Sequence, residues 1–393
     1  MRIAHVITRM IVGGAQENTL LCCQDSVRLF GDETLLITGP SLGPEGDLLA
    51  REHDLEFPVR LIPSLVRPIR PVQDTRCYGV LKSVLREFRP DVVHTHSAKG
   101  GMLGRLAAWS LRVPVVVHTV HGAPFHPYQS AAARSFFRGC ERFAAKRCHH
   151  IVSVADAMTD QLVAAHVAPR EQFSTIYSGM EVEPFLQADE HRHATRAELG
   201  FNDDHIVVGK IARLFHLKGH TYVIDAAQRV LQRCPQVRFL FVGDGILRES
   251  LQGQIARAGL SDCFRFTGLV PPECIPRLIG AMDVLVHASL REGLARALPQ
   301  ALIAGKPVVS YDVDGAREVV VSGETGYLLA PQSVEPLADA LVRLAQSRDL
   351  RQQLGRTGRE RCTDRFRHET MTRQLRDLYQ RLASSLSHAV TAG

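Results

Sequence analysis

Two cationic side chains stand just beyond an apolar run in the second half of the chain. The run at residues 206–212 is followed by Arg213 and Lys218, and Gly219 then precedes a helix-like stretch. Arginine offers a planar fork of donors and lysine a compact charge, and both bind phosphate groups. If the run is a strand of a parallel sheet, both cations lie at its carboxyl end, where they could hold a diphosphate. The alternative is that they are two solvated loop cations.

Glycine turns follow several other apolar runs and open into helix-like stretches. The turns are Gly13-Gly14, Gly243-Asp244 and Gly268. Glycine lets backbone amides approach an anion at a helix start, where the helix dipole favours negative charge. Their spacing matches neither G-x-G-x-x-G nor the G-x-x-x-x-G-K-[ST] P-loop, so neither a dinucleotide fingerprint nor a P-loop is indicated. The alternative for Gly13-Gly14 is a plain turn into the first helix.

A carboxylate and an amide follow the run at residues 284–287. Glu292 precedes Gly293, and Gln300 comes eight residues after Glu292. Because proline lacks an amide hydrogen, Pro299 fits a helix only within its first turn, so we expect the helix to begin near Leu294. Glu292 then lies in the loop at the strand end and Gln300 on the helix. Such groups can hydrogen-bond the vicinal hydroxyls of a sugar, although an ordinary surface position is the alternative for Gln300.

Short β-branched runs alternate with longer amphipathic stretches along most of the chain, which predicts parallel sheets with crossover helices. The predicted strands are residues 3–7, 34–38, 92–95, 115–119, 151–154, 173–176, 206–212, 237–242, 264–267, 284–287, 307–310 and 326–328. The predicted helices are residues 15–30, 80–88, 101–111 and 131–148, then helices that begin near Gly219, Gly245, Ile275, Leu294 and Val334, and a helical stretch at 350–386.

This order of elements predicts an α/β protein with two Rossmann-like, doubly wound domains that face each other across a cleft. The first covers residues 1–185 and the second 201–365, with a polar linker at 186–200. The last helix, residues 366–393, is expected to return to the first domain. Ligands of such sheets bind beyond the carboxyl ends of the strands.

These motifs together resemble the retaining GT-B glycosyltransferases of sequence family 4, and the likeness covers nearly the whole chain. The segments that carry it are residues 213–218, Val242-Gly243-Asp244-Gly245, Phe266-Thr267-Gly268, residues 289–293, residues 304–309 and residues 314–318. The resemblance implies a GT-B fold and transfer of a sugar from a nucleotide diphosphate sugar to a hydroxyl, with retention at the anomeric carbon. UDP sugars are the expected donors and GDP sugars come second.

The resemblance also assigns roles. Arg213 and Lys218 would hold the donor's diphosphate, and Glu292 would contact the donor sugar. Further donor contacts are implied for Gly13, Gly14, Gly243, Asp244, Gly268, Leu269, Gly293, Leu294, Ala295 and Gln300. Gln300 departs from the family's E-x7-E pattern, in which a second Glu binds the ribose. An amide binds hydroxyls more weakly than a carboxylate, so we expect weaker donor binding.

In the first half, residues 92–100 and 119–122 also look like this family. The resemblance places His121 beside the reacting sugar as a catalytic residue, and His96 and Lys99 on the acceptor side. The competing interpretation is a metal site formed by His94, His96, His118 and His121. GT-B enzymes generally use protein cations in place of a metal, and there is no Asp-x-Asp motif, so we expect neither a metal nor a cofactor.

Positive charge is concentrated in one part of the first half. Residues 60–150 hold fifteen Lys and Arg against four acidic residues, whereas the whole chain has a net charge of +6. Residues 63–76 combine arginines with prolines, and residues 124–147 interleave arginines with Phe125, Tyr128, Phe136, Phe137 and Phe143. These stretches could rest on an anionic membrane that carries a lipid-linked acceptor. The alternative is a buried aromatic stripe with solvated cations opposite.

Other features indicate the setting of the protein. No apolar run approaches the ~18 residues that span a bilayer, and the start lacks the apolar stretch of a signal peptide. The nine cysteines form no C-x-x-C motif, so reduced thiols are expected. We therefore expect a cytoplasmic protein, possible peripheral contact with the inner face of the membrane, and a pathway of surface polysaccharide or glycolipid synthesis. No nucleic-acid-binding motif accompanies the basic charge.

Three other functions share these features. A GT-B sugar-nucleotide epimerase would use the same nucleotide contacts, and a non-catalytic nucleotide-sugar binding protein would fit the unusual Gln300. A phosphorylase would release a sugar 1-phosphate in the presence of free phosphate. Turnover of the donor separates the enzymes from the binding protein.

Overall fold

The computed structural model describes residues 1–42, 46–51, 54–126 and 128–391, without the side chains of 386–391. The chain divides into two compact units. The first unit contains residues 1–180 together with 366–393, and the second contains residues 181–365.

The first unit is built on a seven-stranded parallel sheet. Its strands are β1 (Arg2–Ile7), β2 (Glu33–Thr38), β3 (Val59–Leu61), β4 (Val92–His96), β5 (Val115–Val120), β6 (His150–Ser153) and β7 (Phe173–Thr175). The order across the sheet is β3-β2-β1-β4-β5-β6-β7. The helices are α1 (Gly14–Phe30), α2 (Pro71–Phe88), α3 (Ala98–Ser110), α4 (Ala131–Ala145) and α5 (Asp156–Ala164).

The second unit repeats this architecture with a six-stranded parallel sheet. It begins with two short helices, α6 (Glu183–Leu186) and α7 (Arg192–Glu198). The strands are β8 (Ile206–Ile211), β9 (Val237–Val242), β10 (Phe264–Gly268), β11 (Val284–His287), β12 (Val308–Tyr311) and β13 (Gly326–Leu329). The helices between and after them are α8 (His220–Arg233), α9 (Arg248–Arg257), α10 (Ile275–Ala281), α11 (Ala297–Ile303), α12 (Val334–Gln346) and α13 (Arg348–Cys362). The strand order is β10-β9-β8-β11-β12-β13.

Both sheets have the doubly wound order, in which the chain reverses direction across the sheet between the first and fourth strands. This point lies between β1 and β4 in the first unit and between β8 and β11 in the second. The prediction of two Rossmann-like α/β units is confirmed.

The final helix, α14 (His368–Thr391), packs on the first unit. Met371, Leu375 and Leu378 join the buried cluster that contains Val92 and Val115 of the sheet. Tyr379 lies in the same cluster, and its hydroxyl is 2.5 Å from Nδ1 of His94. The helix therefore supplies both apolar contacts and a polar partner for a buried imidazole.

Residues 186–200 are not the linker that their polarity predicts. Arg192 and Arg196 each place an Nη2 atom 2.6 Å from the carboxylate of Asp283, which precedes β11. The backbone amide of Val207 donates to the same carboxylate at 2.7 Å. These bonds anchor α7 to the sheet, so this charged stretch belongs to the second unit.

Several element boundaries also differ from the sequence prediction. Helix α2 begins at Pro71, nine residues before the predicted start, because proline is accepted at the first helical position. Strand β3 and helix α5, which were not predicted, are three and nine residues long and too short for a clear periodicity. The helical stretch at 350–386 is interrupted between Cys362 and His368. Every helix among the described residues is too short or too polar to cross a membrane.

The bond between α14 and the sheet gives a stability prediction. Tyr379→Phe keeps the ring and leaves Nδ1 of His94 without its hydroxyl partner. We expect the free energy of unfolding of the first unit to fall by about 1–3 kcal/mol, the usual cost of an unpaired buried polar group. The single tryptophan, Trp109, lies on α3, so its fluorescence in a urea titration reports on this unit.

Tyr128→Phe is the matched control because that side chain is 54% exposed. It should change the free energy of unfolding by less than about 0.5 kcal/mol. Equal stability of Tyr379→Phe and the control would contradict the assigned role of the bond.

Candidate functional site

The candidate donor site of the second unit lies where β8 and β11 pair side by side. Arg213 and Lys218 follow β8, and Glu292 follows β11. Both loops leave the sheet at its carboxyl edge, at the point where the strand order reverses. Doubly wound sheets bind their ligands beyond this edge. The structure thus places Glu292 in contact with Lys218, one of the two cations that the sequence predicted independently of it.

Two glycines allow these loops to pack tightly. Gly219 has a φ of 67°, and a Cβ on it would lie 1.7 Å from the carbonyl oxygen of Ala288. Gly243 has a φ of 131°, and a Cβ there would lie 2.3 Å from the carbonyl oxygen of Ala212. Backbone atoms cannot yield to such contacts, so both positions require glycine. The approach at Gly219 fixes Lys218 beside the segment that carries Glu292.

The Glu292 carboxylate is held by two neighbours and its backbone by a third. Lys218 donates from Nζ to Oε1 at 2.6 Å, and Nε2 of His287 lies 3.3 Å from the same oxygen. The Glu292 amide donates to a carboxylate oxygen of Asp314 at 2.6 Å. The side chain of Glu292 is 18% exposed, so one part of it still faces solvent. The carboxylate is therefore oriented before any ligand arrives.

Burial and charge act in opposite directions on this carboxylate. Burial alone raises the pKa of Glu292, but the hydrogen bond with His287 and the adjacent ammonium of Lys218 outweigh it and hold the pKa well below its ordinary value. Burial raises the pKa of Asp314, and the amide of Glu292 opposes this rise. Glu292 is consequently an anion at every physiological pH, with Lys218 as its main counter-charge.

The other residues predicted as donor contacts are distributed around this edge. Asp244 forms an ion pair with Arg248 at 2.7 Å and accepts the amide of Gly245 at 2.7 Å, so its carboxylate shapes the turn. Gly268 has a φ of 73°, and Leu269 is 65% exposed. The remaining predicted contacts, Gly293, Leu294, Ala295 and Gln300, are half-buried.

The helix after Glu292 begins at Ala297 and not near Leu294 as predicted. The carbonyl of Gly293 accepts the amide of Gly315 at 3.0 Å, which holds this segment outside the helix. Pro299 still falls in the first turn, in agreement with the argument from its missing amide.

Sequence reasoning missed three buried nitrogen-bearing side chains beneath the site. Lys210 on β8, His220 at the start of α8 and His287 on β11 are each at most 3% exposed. The Lys210 ammonium and both ring nitrogens of His220 lack a hydrogen-bond partner among the described residues. A lysine inside a strand that is paired on both sides was the available signal, because charged side chains are rarely buried there.

The first unit gathers histidines at its own reversal point. Nδ1 of His96 lies 3.2 Å from Nε2 of His121, and Nε2 of His96 lies 3.1 Å from Nδ1 of His5. Burial lowers the pKa of His5 to about 4 and the pKa values of His94, His96 and His118 well below their ordinary value. These four imidazoles are therefore neutral at pH 7.

A metal site is the competing interpretation of these histidines, but the structure groups different histidines from the four that the sequence suggested. Within the described part of the chain, the side chains close enough to share an ion are His5, His94 and His96. His118 bonds to Thr95 instead. Both nitrogens of His94 are already bonded, to Tyr379 at 2.5 Å and to Thr119 at 2.6 Å. His5, which the sequence reasoning missed, pairs in register with His94.

The other predicted residues of the first unit lie in ordinary structural settings. Gly13 precedes α1 and Gly14 is its first residue. Lys99 forms an ion pair with Asp74 at 2.6 Å and also bonds to the carbonyl of Pro68. Its side chain is 9% exposed, so its charge is largely neutralised inside this unit. This pairing weakens the prediction that Lys99 contacts an acceptor.

The aromatic side chains of residues 124–147 do not form a buried stripe. Phe125 is buried, but Phe136 and Phe143 on α4 are 57% and 48% exposed. Arg138 and Arg142 are exposed on the same helix. Near the start of α2, Ile69 and Val72 are 63% and 87% exposed, with arginines around them. The first unit thus carries two surfaces that are both apolar and basic.

Comparisons with known proteins agree with this architecture. The chain is 27% identical, over 96% of its length and 96% of the relative's, to the UDP-Gal:alpha-D-GlcNAc-diphosphoundecaprenol alpha-1,3-galactosyltransferase of Escherichia coli. It is 28% identical, over 67% of the chain and 70% of the relative, to the 2-deoxystreptamine glucosyltransferase of Streptomyces kanamyceticus.

Solved structures share the fold. HepE of Anabaena, in complex with UDP, superposes with a TM-score of 0.81 at 23% identity and covers 97% of this chain and 100% of its own. Sucrose-phosphate synthase of Thermosynechococcus elongatus gives a TM-score of 0.81 at 20% identity, over 98% of this chain and 100% of its own.

Two family models divide the chain between them. Residues 17–179 match the glycosyl transferase 4-like domain, and residues 191–361 match glycosyl transferases group 1. These ranges fall within the first and second structural units respectively. With its two parallel-sheet units, the chain therefore combines a glycosyl transferase 4-like domain in its first half with a glycosyl transferases group 1 domain in its second.

Proposed function

We propose that this protein transfers a sugar from a UDP sugar to a hydroxyl acceptor, with retention at the anomeric carbon. The observation that carries the proposal is the anionic Glu292, fixed by Lys218 at 2.6 Å next to the loop of Arg213. A carboxylate accepts hydrogen bonds from sugar hydroxyls, and neighbouring cations donate hydrogen bonds to phosphate oxygens. This combination at one sheet edge suits a sugar joined to a diphosphate.

The choice of a UDP sugar is supported by the relatives. The Escherichia coli relative is named for the donor UDP-Gal. The Anabaena structure is described in complex with UDP and, in another crystal, with UDP-glucose. Among the nucleotide sugars that the family resemblance allows, a UDP sugar is therefore the donor to test first.

The reaction breaks the bond between the anomeric carbon and the β-phosphate oxygen and forms a bond from that carbon to the acceptor oxygen. Negative charge grows on the departing diphosphate, so Arg213 and Lys218 stabilise the transition state more than the bound donor. The acceptor's proton passes to the leaving phosphate oxygen on the same face of the sugar. Attack from that face yields retention without a protein nucleophile.

The proposal includes neither a metal nor a cofactor, because the two cations supply the positive charge that the leaving group needs. In the first unit we assign His121 to the reacting sugar, with His96 as its hydrogen-bond partner at 3.2 Å. The amides near Gly14 are assigned to the phosphates, because a helix start favours an anion.

For the acceptor, we propose a lipid-linked sugar in surface polysaccharide or glycolipid synthesis. The Escherichia coli relative is named for a diphosphoundecaprenol acceptor. The exposed phenylalanines and arginines of α4 suit an anionic membrane surface, because rings enter the headgroup region while arginines meet lipid phosphates. We place the protein in the cytoplasm, on the inner face of that membrane, with no role for nucleic acid.

The competing functions have less support. The relatives reported above are named as transferases, which favours transfer over epimerisation or mere binding. Among the described residues, no contact favours phosphorolysis over sugar transfer.

One prediction of this proposal concerns Arg213 and Lys218, the two cations that we assign to the diphosphate. In the double variant Arg213→Ala, Lys218→Ala, each lost charge-assisted bond costs about 1.5–3 kcal/mol, so UDP affinity should fall by two orders of magnitude or more. Calorimetric titration measures this affinity, after a thermal-shift screen of UDP, GDP, ADP and dTDP has identified the nucleotide.

Arg229→Ala, Arg233→Ala is the matched control. It also removes two arginines, but these are exposed on α8 and pair with Glu335 and Asp339 of α12. Its affinity should equal that of the wild type. Wild-type donor turnover in the Arg213, Lys218 variant would refute the diphosphate assignment.

The second prediction concerns the departure from the family pattern. Gln300→Glu restores a charged acceptor for the ribose hydroxyls, and a charge-assisted bond exceeds a neutral one by about 1 kcal/mol. We expect UDP to bind about fivefold to tenfold more tightly. The comparison ligand is dUDP, which lacks the 2′-hydroxyl, so its affinity should increase less than that of UDP. An equal gain for both nucleotides would show that residue 300 does not contact that hydroxyl.

The third prediction tests the membrane surface. We expect the wild type to float with vesicles that contain about one-third phosphatidylglycerol and not with purely zwitterionic vesicles, since each surface arginine contributes about 1 kcal/mol near anionic lipid. Phe136→Ser with Phe143→Ser removes the apolar contact and should weaken anionic-vesicle binding at least about tenfold.

Leu29→Ser is the control, because Leu29 is another exposed apolar residue, at 42%, and lies on α1 of the same unit. Its flotation should match that of the wild type. Flotation that is independent of anionic lipid would remove the membrane from the proposal and leave the donor assignment untouched.

A further inference from the structure

Lys210 lies on β8, three residues before Arg213 of the candidate donor site, and is fully enclosed. It is the fifth residue of β8, and this strand is paired on one side with β9 and on the other with β11. Its exposure is 0%, and its ammonium nitrogen has no hydrogen-bond partner among the described residues. An isolated buried charge is costly, so such a lysine needs an electrostatic reason to be protonated.

The charges that act on Lys210 come from the two donor-site loops. Glu292, in the loop after β11, favours the protonated form, and Lys218, in the loop before α8, opposes it. The other titratable neighbours are His220 on α8 and His287 on β11, and both respond to the charge of Lys210. Burial lowers the pKa of His220 to about 2 and also lowers the pKa of His287, so both are neutral at pH 7.

Glu292 is already paired with Lys218 at 2.6 Å. Little negative charge then remains for Lys210. Burial accordingly lowers the pKa of Lys210 to about 7, with Glu292 working against the decrease and Lys218 adding to it. Near neutral pH the side chain is thus divided between its charged and neutral forms.

Another buried lysine of the same unit is a contrasting case. Lys306 is 7% exposed and precedes β12, at the amino edge of the sheet, away from the donor loops. Its ammonium has its own carboxylate, because Nζ lies 2.5 Å from Oδ1 of Asp189. Lys210 differs in that no acidic group is dedicated to it.

We propose that Lys210 is the proton-accepting group of the donor site, so that binding of a nucleoside diphosphate is coupled to the uptake of one proton by its amine. The inference rests on the proposed binding of the donor diphosphate at Arg213 and Lys218. The incoming phosphates share the charge of Lys218, which releases part of the Glu292 charge, and they add negative charge of their own. Both changes favour the ammonium form of Lys210, which then contributes positive charge from below the site.

The direction of the pH dependence follows from this coupling. At pH 7.5 a group with a pKa near 7 is mostly neutral, so a ligand that stabilises its charged form takes up about 0.5–0.8 proton. Linkage then requires that affinity fall as the pH rises, by up to about tenfold per pH unit. The effect ends where the pH exceeds the pKa of Lys210 in the complex.

The experiment is a calorimetric titration of the whole protein with UDP at pH 7.5 and pH 8.5, in HEPES and in Tris. These buffers differ in ionisation enthalpy, so the difference in observed heat gives the number of protons taken up. The terminal phosphate of UDP, with a pKa of about 6, is already ionised at both values and contributes little. We expect about 0.5–0.8 proton for the wild type at pH 7.5 and an affinity that falls about threefold to tenfold by pH 8.5.

Lys210→Met keeps the length and apolar stem of the side chain and removes the amine. We expect UDP to bind more weakly to it, with no proton uptake and no dependence on pH between 7.5 and 8.5. Lys306→Met is the matched control and should retain the wild-type proton number. Lys210→Arg is a second variant with a permanent charge, and it should bind UDP without proton uptake.

The outcomes separate the inference from the proposed function. Wild-type binding of UDP without proton uptake overturns the role of Lys210 and leaves the donor site intact. Undiminished uptake in Lys210→Met or Lys210→Arg assigns the proton to another group and also overturns it. Failure of the wild type to bind any nucleoside diphosphate refutes the proposed function and this inference with it.

Discussion

The second unit is organised around a carboxylate that stays ionised although most of its surface is buried. Glu292 remains charged there because Lys218 and His287 meet one of its oxygens, while Asp314 holds its backbone amide in place. A buried charge without such partners would be neutralised or would destabilise the fold. The paths of both loops, and the glycine at position 219 that lets them approach, follow from this requirement.

The first unit handles its buried polar groups differently. Its histidines on β1, β4 and β5 are neutral and bond to one another or to hydroxyls, so no counter-charge is needed. Neutral imidazoles have one donor and one acceptor each, which suits them to chains of hydrogen bonds inside a sheet. The last helix completes this arrangement with a tyrosine from a part of the sequence almost 300 residues away. That helix is therefore part of the core of the first unit.

The two units show how one strand order supports two chemistries. In both, polar residues gather where the strand order reverses, in the loops in the second unit and on the strands themselves in the first. In the second unit these residues are charged and partly open to solvent, as phosphate and sugar recognition requires. In the first unit they are neutral and enclosed except at the loop ends, while cations and phenylalanines occupy the outer faces of helices. Recognition of small polar groups and contact with a large surface are thus separated within the molecule.

The sequence by itself determined the fold class, the positions of all described strands except β3, and the identity of Arg213, Lys218 and Glu292 as candidates, because periodicity and turn residues are local properties. It also predicted that Pro299 lies in a first helical turn, since that limit comes from the proline itself. It could not assign residues 186–200, which look like a linker until Asp283 supplies a partner for their arginines. It also could not show which titratable groups Lys210 and His5 would lie beside. Those facts depend on contacts between distant segments, and only tertiary packing decides which charges meet and how far water is excluded.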